Sequence, residues 1–92
     1  MKSLADRLQR VQRDGNLSIA DLARWLDREH PTVRGWVRGV KIGGAAGDQE
    51  HVEAMLALLE RLVQSKHGFP VPRLSPKARI YYLGKIREMA LA

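Results

Sequence analysis

The chain has no cysteine, one phenylalanine, two tyrosines and two tryptophans, and fewer acidic than basic residues. Without cysteine there is neither a disulfide framework nor a thiolate metal site, and such a chain fits a reducing, cytoplasmic setting. With so few aromatic residues no base-stacking platform is legible, and Tyr81-Tyr82 does not resemble one. Long apolar runs are also missing. The longest unbroken one, Ala54 to Leu59, falls far short of the ~20 residues that cross a bilayer, so no membrane partner is expected. The opening MKSLADRLQR carries charge where a signal peptide needs an apolar core. His30, His51 and His67 lack metal-ligand spacing, and no metal site follows from them. The glycine-rich GVKIGGAAG lacks the Lys-Ser/Thr ending and the preceding strand of a phosphate-binding loop. Most serines stand where helices start. With no catalytic constellation, no enzyme activity and no cofactor are expected.

What the chain does have is charge of one sign and helical periodicity. The formal net charge is +6 over 92 residues, which favours a polyanionic partner, nucleic acid being the commonest. The length suits one small domain whose limited core would gain from self-association. Leu4, Leu8 and Val11 recur at helical spacing behind Ser3, predicting a first helix over 1–14 that Gly15-Asn16 stops. Arg7, Arg10 and Arg13 are expected on its solvated side. Val52, Met55, Leu56, Leu59, Leu62 and Val63 predict a helix over 48–64 with Asp48 as its cap. Residues 39–47, with four glycines in GVKIGGAAG, read as a mobile connection. Residues 65–76 hold three of the prolines and read as an extended, partly rigid linker. Ser75-Pro76 then starts a last helix whose buried side is expected at Ile80, Leu83, Ile86, Met89 and Ala90. The division is therefore a core over 1–64, then a linker and C-terminal helix over 65–92 that serves packing or oligomerisation.

Between the first helix and the glycine-rich stretch, LSIADLARWLDREHPTVRGWVRG reads as two short helices about a tight turn. Ser18 and Asp21 approximate a capping box. Leu22, Ala23 and Leu26 form the first stripe, with Ile19 on the same side. Asp27 tolerates the left-handed backbone of a sharp reversal. Pro31 restarts the chain with His30 as N-cap, Val33, Trp36 and Val37 follow at helical spacing, and Gly39 ends the second helix. Trp36 is expected to pack in the core, and Trp25 to meet the C-terminal helix.

This stretch resembles the helix-turn-helix of the lambda repressor and Cro family. Leu17, Ser18, Leu22, Ala23, Leu26, Thr32, Val33, Trp36 and Gly39 fall on that family's pattern without a gap, over about a quarter of the chain. Asp27 stands where the family has a turn glycine, Arg28 where it has a small apolar residue, and Ile19 where it often has a phosphate-contacting Gln. The resemblance implies an all-α, five-helix domain with a lambda-repressor-like helix-turn-helix whose second helix enters the major groove. Carried over by position, base reading falls to His30, Pro31, Arg34 and Gly35. Arg34 suits the O6/N7 edge of guanine. Glu29 is placed to accept from cytosine or to cap the helix. Contacts to the DNA backbone fall to Ser18, Arg24, Arg28, Thr32, Arg38 and Lys41.

The function implied is sequence-specific double-stranded DNA binding by a small phage or bacterial transcriptional regulator, acting as a homodimer or higher homo-oligomer. Two other readings stay open: the DNA-recognition small subunit of a phage packaging terminase, and a protein-interaction adaptor on the same fold. A second basic concentration, Arg61 to Arg87, suits either flanking phosphates or plain solvation.

Overall fold

The computed structural model describes residues 3–41 and 46–92, and the side chains of all of these but 46–48. Among the described residues five helices follow one another: α1 (Leu4–Gly15), α2 (Ile19–Leu26), α3 (His30–Val37), α4 (Ala46–Gln64) and α5 (Pro76–Leu91). No strand occurs among the described residues, so the architecture is all-α. Among the described residues no helix is long and apolar enough to cross a membrane.

Local chemistry explains most helix ends. Ser3, Ser18 and Ser75 each accept from the amide three residues on, at 3.1, 3.1 and 3.3 Å, satisfying donors that a helix start leaves unpaired. At α2 the box is complete, since the Asp21 carboxylate returns to the Ser18 N–H at 2.9 Å. α3 is the exception. Glu29, not His30, holds the extended N-cap position, and its side chain makes no capping bond. His30 is the first helical residue, and Pro31 sits one further in, where the amide still has no partner within the helix.

Four helices stop in the same way. Asn16, Asp27, Gly39 and Lys66 adopt left-handed backbone, with φ of 56, 57, 102 and 56°. In each case the next amide returns to a carbonyl of the last turn: Leu17 to Gln12, Arg28 to Ala23, Val40 to Gly35 and His67 to Leu62, at 2.9–3.0 Å. The expected stop at Gly15-Asn16 therefore turns on Asn16. Gly15 matters for packing instead. A β-carbon there would lie 3.1 Å from Leu17 Cδ1 and from Val63 Cγ2, so its absence lets α1 and α4 close together. α4 begins at Ala46, ahead of Asp48. The side chain of Asp48 lies outside the described residues, as do residues 42–45 of the connection expected over 39–47, whose last two residues belong to α4.

One apolar core joins all five helices. Leu8 and Val11 of α1, Leu22 and Leu26 of α2, Val33 and Trp36 of α3, and Val52, Leu56 and Leu59 of α4 are buried in it. Polar ties lock the layers. Arg7 is not on a solvated face but bridges α1 to α4, reaching Glu53 at 2.7 Å and Glu60 at 2.6 Å. The Glu60 bond is the main reason its pKa is raised; burial opposes this, and Glu53 adds to the rise. Gln9 Nε2 donates to the Val37 carbonyl at 2.9 Å, tying α1 to the end of α3.

The stretch from 65 to 75 joins the core instead of only lying on its surface. Phe69 and Val71 are 4% and 2% exposed. Val71 exchanges bonds with the α1–α2 corner: its amide donates to the Gly15 carbonyl, and Asn16 Nδ2 donates to the Val71 carbonyl, both at 2.8 Å. α5 then runs beside α2 in the same direction, with Arg79 against Asp21 and Arg87 against Trp25 and Asp27.

The expected buried side of α5 is corrected here. Only Leu83 of that set is buried, whereas Ile80 and Met89 are 46% and 73% exposed. The reason is that Arg79, Leu83 and Arg87 share one helical face, and the two guanidiniums have carboxylates and carbonyls of α2 to meet. The apolar side of α5 is turned instead to a groove of about 570 Å³, shared with Leu62 and Leu74.

Candidate nucleic-acid interface

Asp27, Arg28 and Glu29 separate α2 from α3 and set their angle. The left-handed Asp27 is held from two other helices: Arg87 Nη2 of α5 lies 2.5 Å, and His51 Nε2 of α4 3.1 Å, from its Oδ2. These two bonds tether the aspartate that makes the turn. The backbone conformation carries some strain for any residue with a β-carbon, and the carboxylate is engaged by both neighbours.

α3 is amphipathic about its own axis. Val33 and Trp36 are 0% and 5% exposed and anchor it to the core. On the other flank Pro31, Arg34, Gly35 and Arg38 follow at i, i+3, i+4 and i+7, forming one stripe. Pro31, Arg34 and Arg38 are exposed or partly so, and Gly35 is half-buried. Lys41 is exposed just beyond the left-handed exit at Gly39. No hydrogen bond or ion pair engages the side chains of Arg34, Arg38 or Lys41 among the described residues.

The remaining expected contacts lie apart from that stripe. His30 and Thr32 line a shallow hollow with Arg24, Arg28, Glu29 and Ala20, where the start of α3 meets α2. Thr32 is exposed and His30 half-buried. Arg24 is engaged, its guanidinium 2.8 Å from Asp21 Oδ1. Arg28 donates to the Asp27 carbonyl at 2.7 Å. The Ser18 hydroxyl caps α2. Of the set named from sequence, then, the fold aligns Pro31, Arg34, Gly35 and Arg38, with Lys41 following. It gathers His30, Thr32, Arg24 and Arg28 in the adjoining hollow and leaves Ser18 at the far end of α2.

Sequence reading missed the centre that holds this surface. Asp21 is 2% exposed and receives the Ser18 N–H, Arg24 Nη2 and Arg79 Nε at 2.8–2.9 Å. Arg79 also donates to the Asn16 carbonyl. Burial is the largest single influence on the Asp21 carboxyl and disfavours its charge, but the Ser18 and Arg79 bonds together outweigh it, and its pKa is lowered. The capping box gave a signal for Asp21; nothing local could announce Arg79. Trp25, expected against the C-terminal helix, receives Arg87 on its carbonyl at 3.2 Å, while its indole N–H goes to the Met55 carbonyl at 2.9 Å and its ring meets the edge of Phe69.

Gly35 has no structural necessity. A β-carbon there would rest 3.7 Å from Val40, an ordinary contact. Gly35→Ala should therefore raise stability by about 0.5–1 kcal/mol, the usual gain at a helix interior, measurable as a higher denaturation midpoint.

No protein-family model matches the chain, and searches of curated proteins and of solved structures return no match.

Proposed function

We propose that the chain is a sequence-specific binder of double-stranded DNA, with α2 and α3 as a lambda-repressor-like helix-turn-helix and α3 as the helix offered to the major groove. One observation carries the reading: α3 is gripped from behind by Val33 and Trp36 while Arg34 and Arg38 stand on the opposite stripe without an acidic partner among the described residues. A free guanidinium on a rigid helix is the commonest reader of guanine. Arg38 and Lys41, past the end of the helix, suit phosphate oxygens and supply affinity. The role this supports is a small phage or bacterial transcriptional regulator.

The dimensions favour a pair. The molecule measures 32 × 26 × 25 Å, so one copy covers one half-site. Two recognition helices about 34 Å apart would need two copies. The apolar side of α5, with Tyr81 and Met89 exposed, is the surface available for a homodimer contact.

The test is selection of bound sequences from a random DNA pool, followed by titration in salt. With about four phosphate contacts the log–log salt slope should be near −3.6, a loss of roughly 100-fold between about 50 and 200 mM. Arg34→Ala should weaken the selected site by about 1–3 kcal/mol and relax preference at one base step. Weak binding without sequence preference would reject the reading and favour an adaptor; a ring of many subunits in solution would favour a packaging subunit. Gly35→Ala separates two roles for that residue. A variant that is more stable but binds DNA less well places the α3 backbone against the duplex.

A further inference from the structure

Acidic residues neutralise the basic ones unevenly. Arg79 and Arg87, part of the basic run that suits either flanking phosphates or plain solvation, are turned inward onto Asp21 and Asp27. Lys85 lies 3.9 Å from Glu88. Lys66 lines a hollow between α1 and α4 together with Arg10, Asp14 and Glu60, where the two carboxylates offset the two cations. Arg61, alone on α4, and Arg73 and Lys77, four residues apart where the chain enters α5, are different, and the last two stand together. Both are exposed, and neither side chain has a hydrogen bond or ion pair among the described residues.

Their place in the fold is set by two anchors. On one side Val71 is bonded to Gly15 and Asn16; on the other Arg79 is bonded to Asn16 and Asp21. The backbone from 71 to 79 is thus fastened at both ends to the corner where α1 passes into α2. Pro72 and Pro76 lie on either side of Arg73 and restrict the chain between the anchors. The two cations are therefore held beside the start of α2, on a segment that has already lost most of its freedom.

From this we infer that Arg73 and Lys77 make a second contact with the phosphate backbone of the duplex that α3 reads. The inference rests on the DNA-binding reading above. α2 and α3 are consecutive helices of eight residues each in a molecule 32 × 26 × 25 Å across. An eight-residue helix is about 12 Å long, so the cations held beside the start of α2 lie about that far along α2 from the turn that leads into α3. Phosphates on the two sides of a major groove about 12 Å wide are spaced on the same scale. Lysine and arginine on long stems, unpaired and presented from a stiff segment, match phosphate oxygens without reading bases. The contact contributes affinity and salt dependence, and no sequence preference.

The test compares the full-length chain with an Arg73→Gln/Lys77→Gln variant and an Arg61→Gln/Lys66→Gln control that removes the same charge elsewhere. Each is titrated with the selected duplex and with an unrelated duplex over a range of KCl. The Arg73/Lys77 variant should keep its melting temperature and lose affinity for both duplexes by the same factor, roughly 10- to 60-fold near 0.1 M salt. For each bound copy its salt slope should become shallower by about 1.8, or 0.9 for each phosphate released. The control should keep the full slope. An unchanged slope in the Arg73/Lys77 variant, with wild-type binding intact, overturns the second contact and leaves the α3 reading standing. Equal losses in both variants also overturn it, since they show diffuse charge. Failure of the wild-type chain to bind either duplex overturns the reading beneath it.

Discussion

Asp21→Asn is expected to cost about 3 kcal/mol at neutral pH, and to lower the melting temperature by roughly 12–24 °C for a chain of this size. The Asp21 side chain is 1% exposed, and the substitution leaves two guanidiniums without their counter-charge. Removing one partner of a buried pair costs about 3–5 kcal/mol in general. The lower end applies here because the Arg24 and Arg79 side chains keep 42% and 18% of their exposure, so water offsets part of the loss. The effect depends on pH in a defined direction. The folded carboxyl titrates below its ordinary value, so its stabilisation is present above the unfolded pKa of about 3.9 and disappears as pH falls through the folded one. Denaturant unfolding at neutral and at acid pH should show the wild-type advantage over Asp21→Asn shrinking on acidification. An advantage that stays constant across that range would mean the residue acts through its capping bonds alone.

A chain ending after Gln64 should lack a cooperative unfolding transition, although it keeps α1 to α4. The removed part contributes Phe69, Val71 and Leu83 to the core. At about 1.5–3 kcal/mol for each buried side chain, the gross loss is about 5–9 kcal/mol. The whole stability expected of a domain this size is of the same order, about 5–14 kcal/mol. The truncation also uncovers Trp25, whose ring packs against Phe69, and takes Arg79 from Asp21. Calorimetry together with tryptophan fluorescence would read both effects. A sharp transition with a buried Trp25 signal in residues 1–64 would show the first four helices to be self-sufficient and α5 to be an appendage.

Both expected losses bear on how α3 is presented. The helix is short, and its own start has no side-chain cap. Its position depends on Val33 and Trp36 behind it, on the Gln9 bond at its end, and on Asp27 before it. Asp27 in turn depends on Arg87. Destabilising α5 should therefore disturb the turn that aims α3, even though α5 lies on α2.

Much of the architecture was readable because it is local. A serine three residues ahead of a free amide, or an Asn, Asp or Gly after an apolar stripe, acts through atoms a few bonds away, so Ser3, Ser18, Ser75, Asn16, Asp27 and Gly39 announced helix ends from the sequence. Lys66 did not, since lysine has no special tolerance for left-handed backbone and adopts it here where the chain must turn from α4 into a buried Phe69. The stripe of α3 was equally legible: Val33 and Trp36 share one side and Arg34 and Arg38 the other by helical period alone.

What periodicity could not supply was the identity of each partner. On α5 apolar residues lie nearly all round, so no stripe stands out, and the inward side was set by Asp21 and Asp27, some sixty positions earlier in the chain. The same pairing decided which cations remain available, withdrawing Arg79 and Arg87 and leaving Arg73 and Lys77 outside. Helices, their ends and the amphipathic split of α3 were written in residue order, because hydrogen bonds and side-chain spacing within a few residues determine them. Which charges meet, which face of the last helix is covered, and where residues 65–75 lie were decided only on folding, because burial and ion pairing are settled between segments that sequence order keeps far apart.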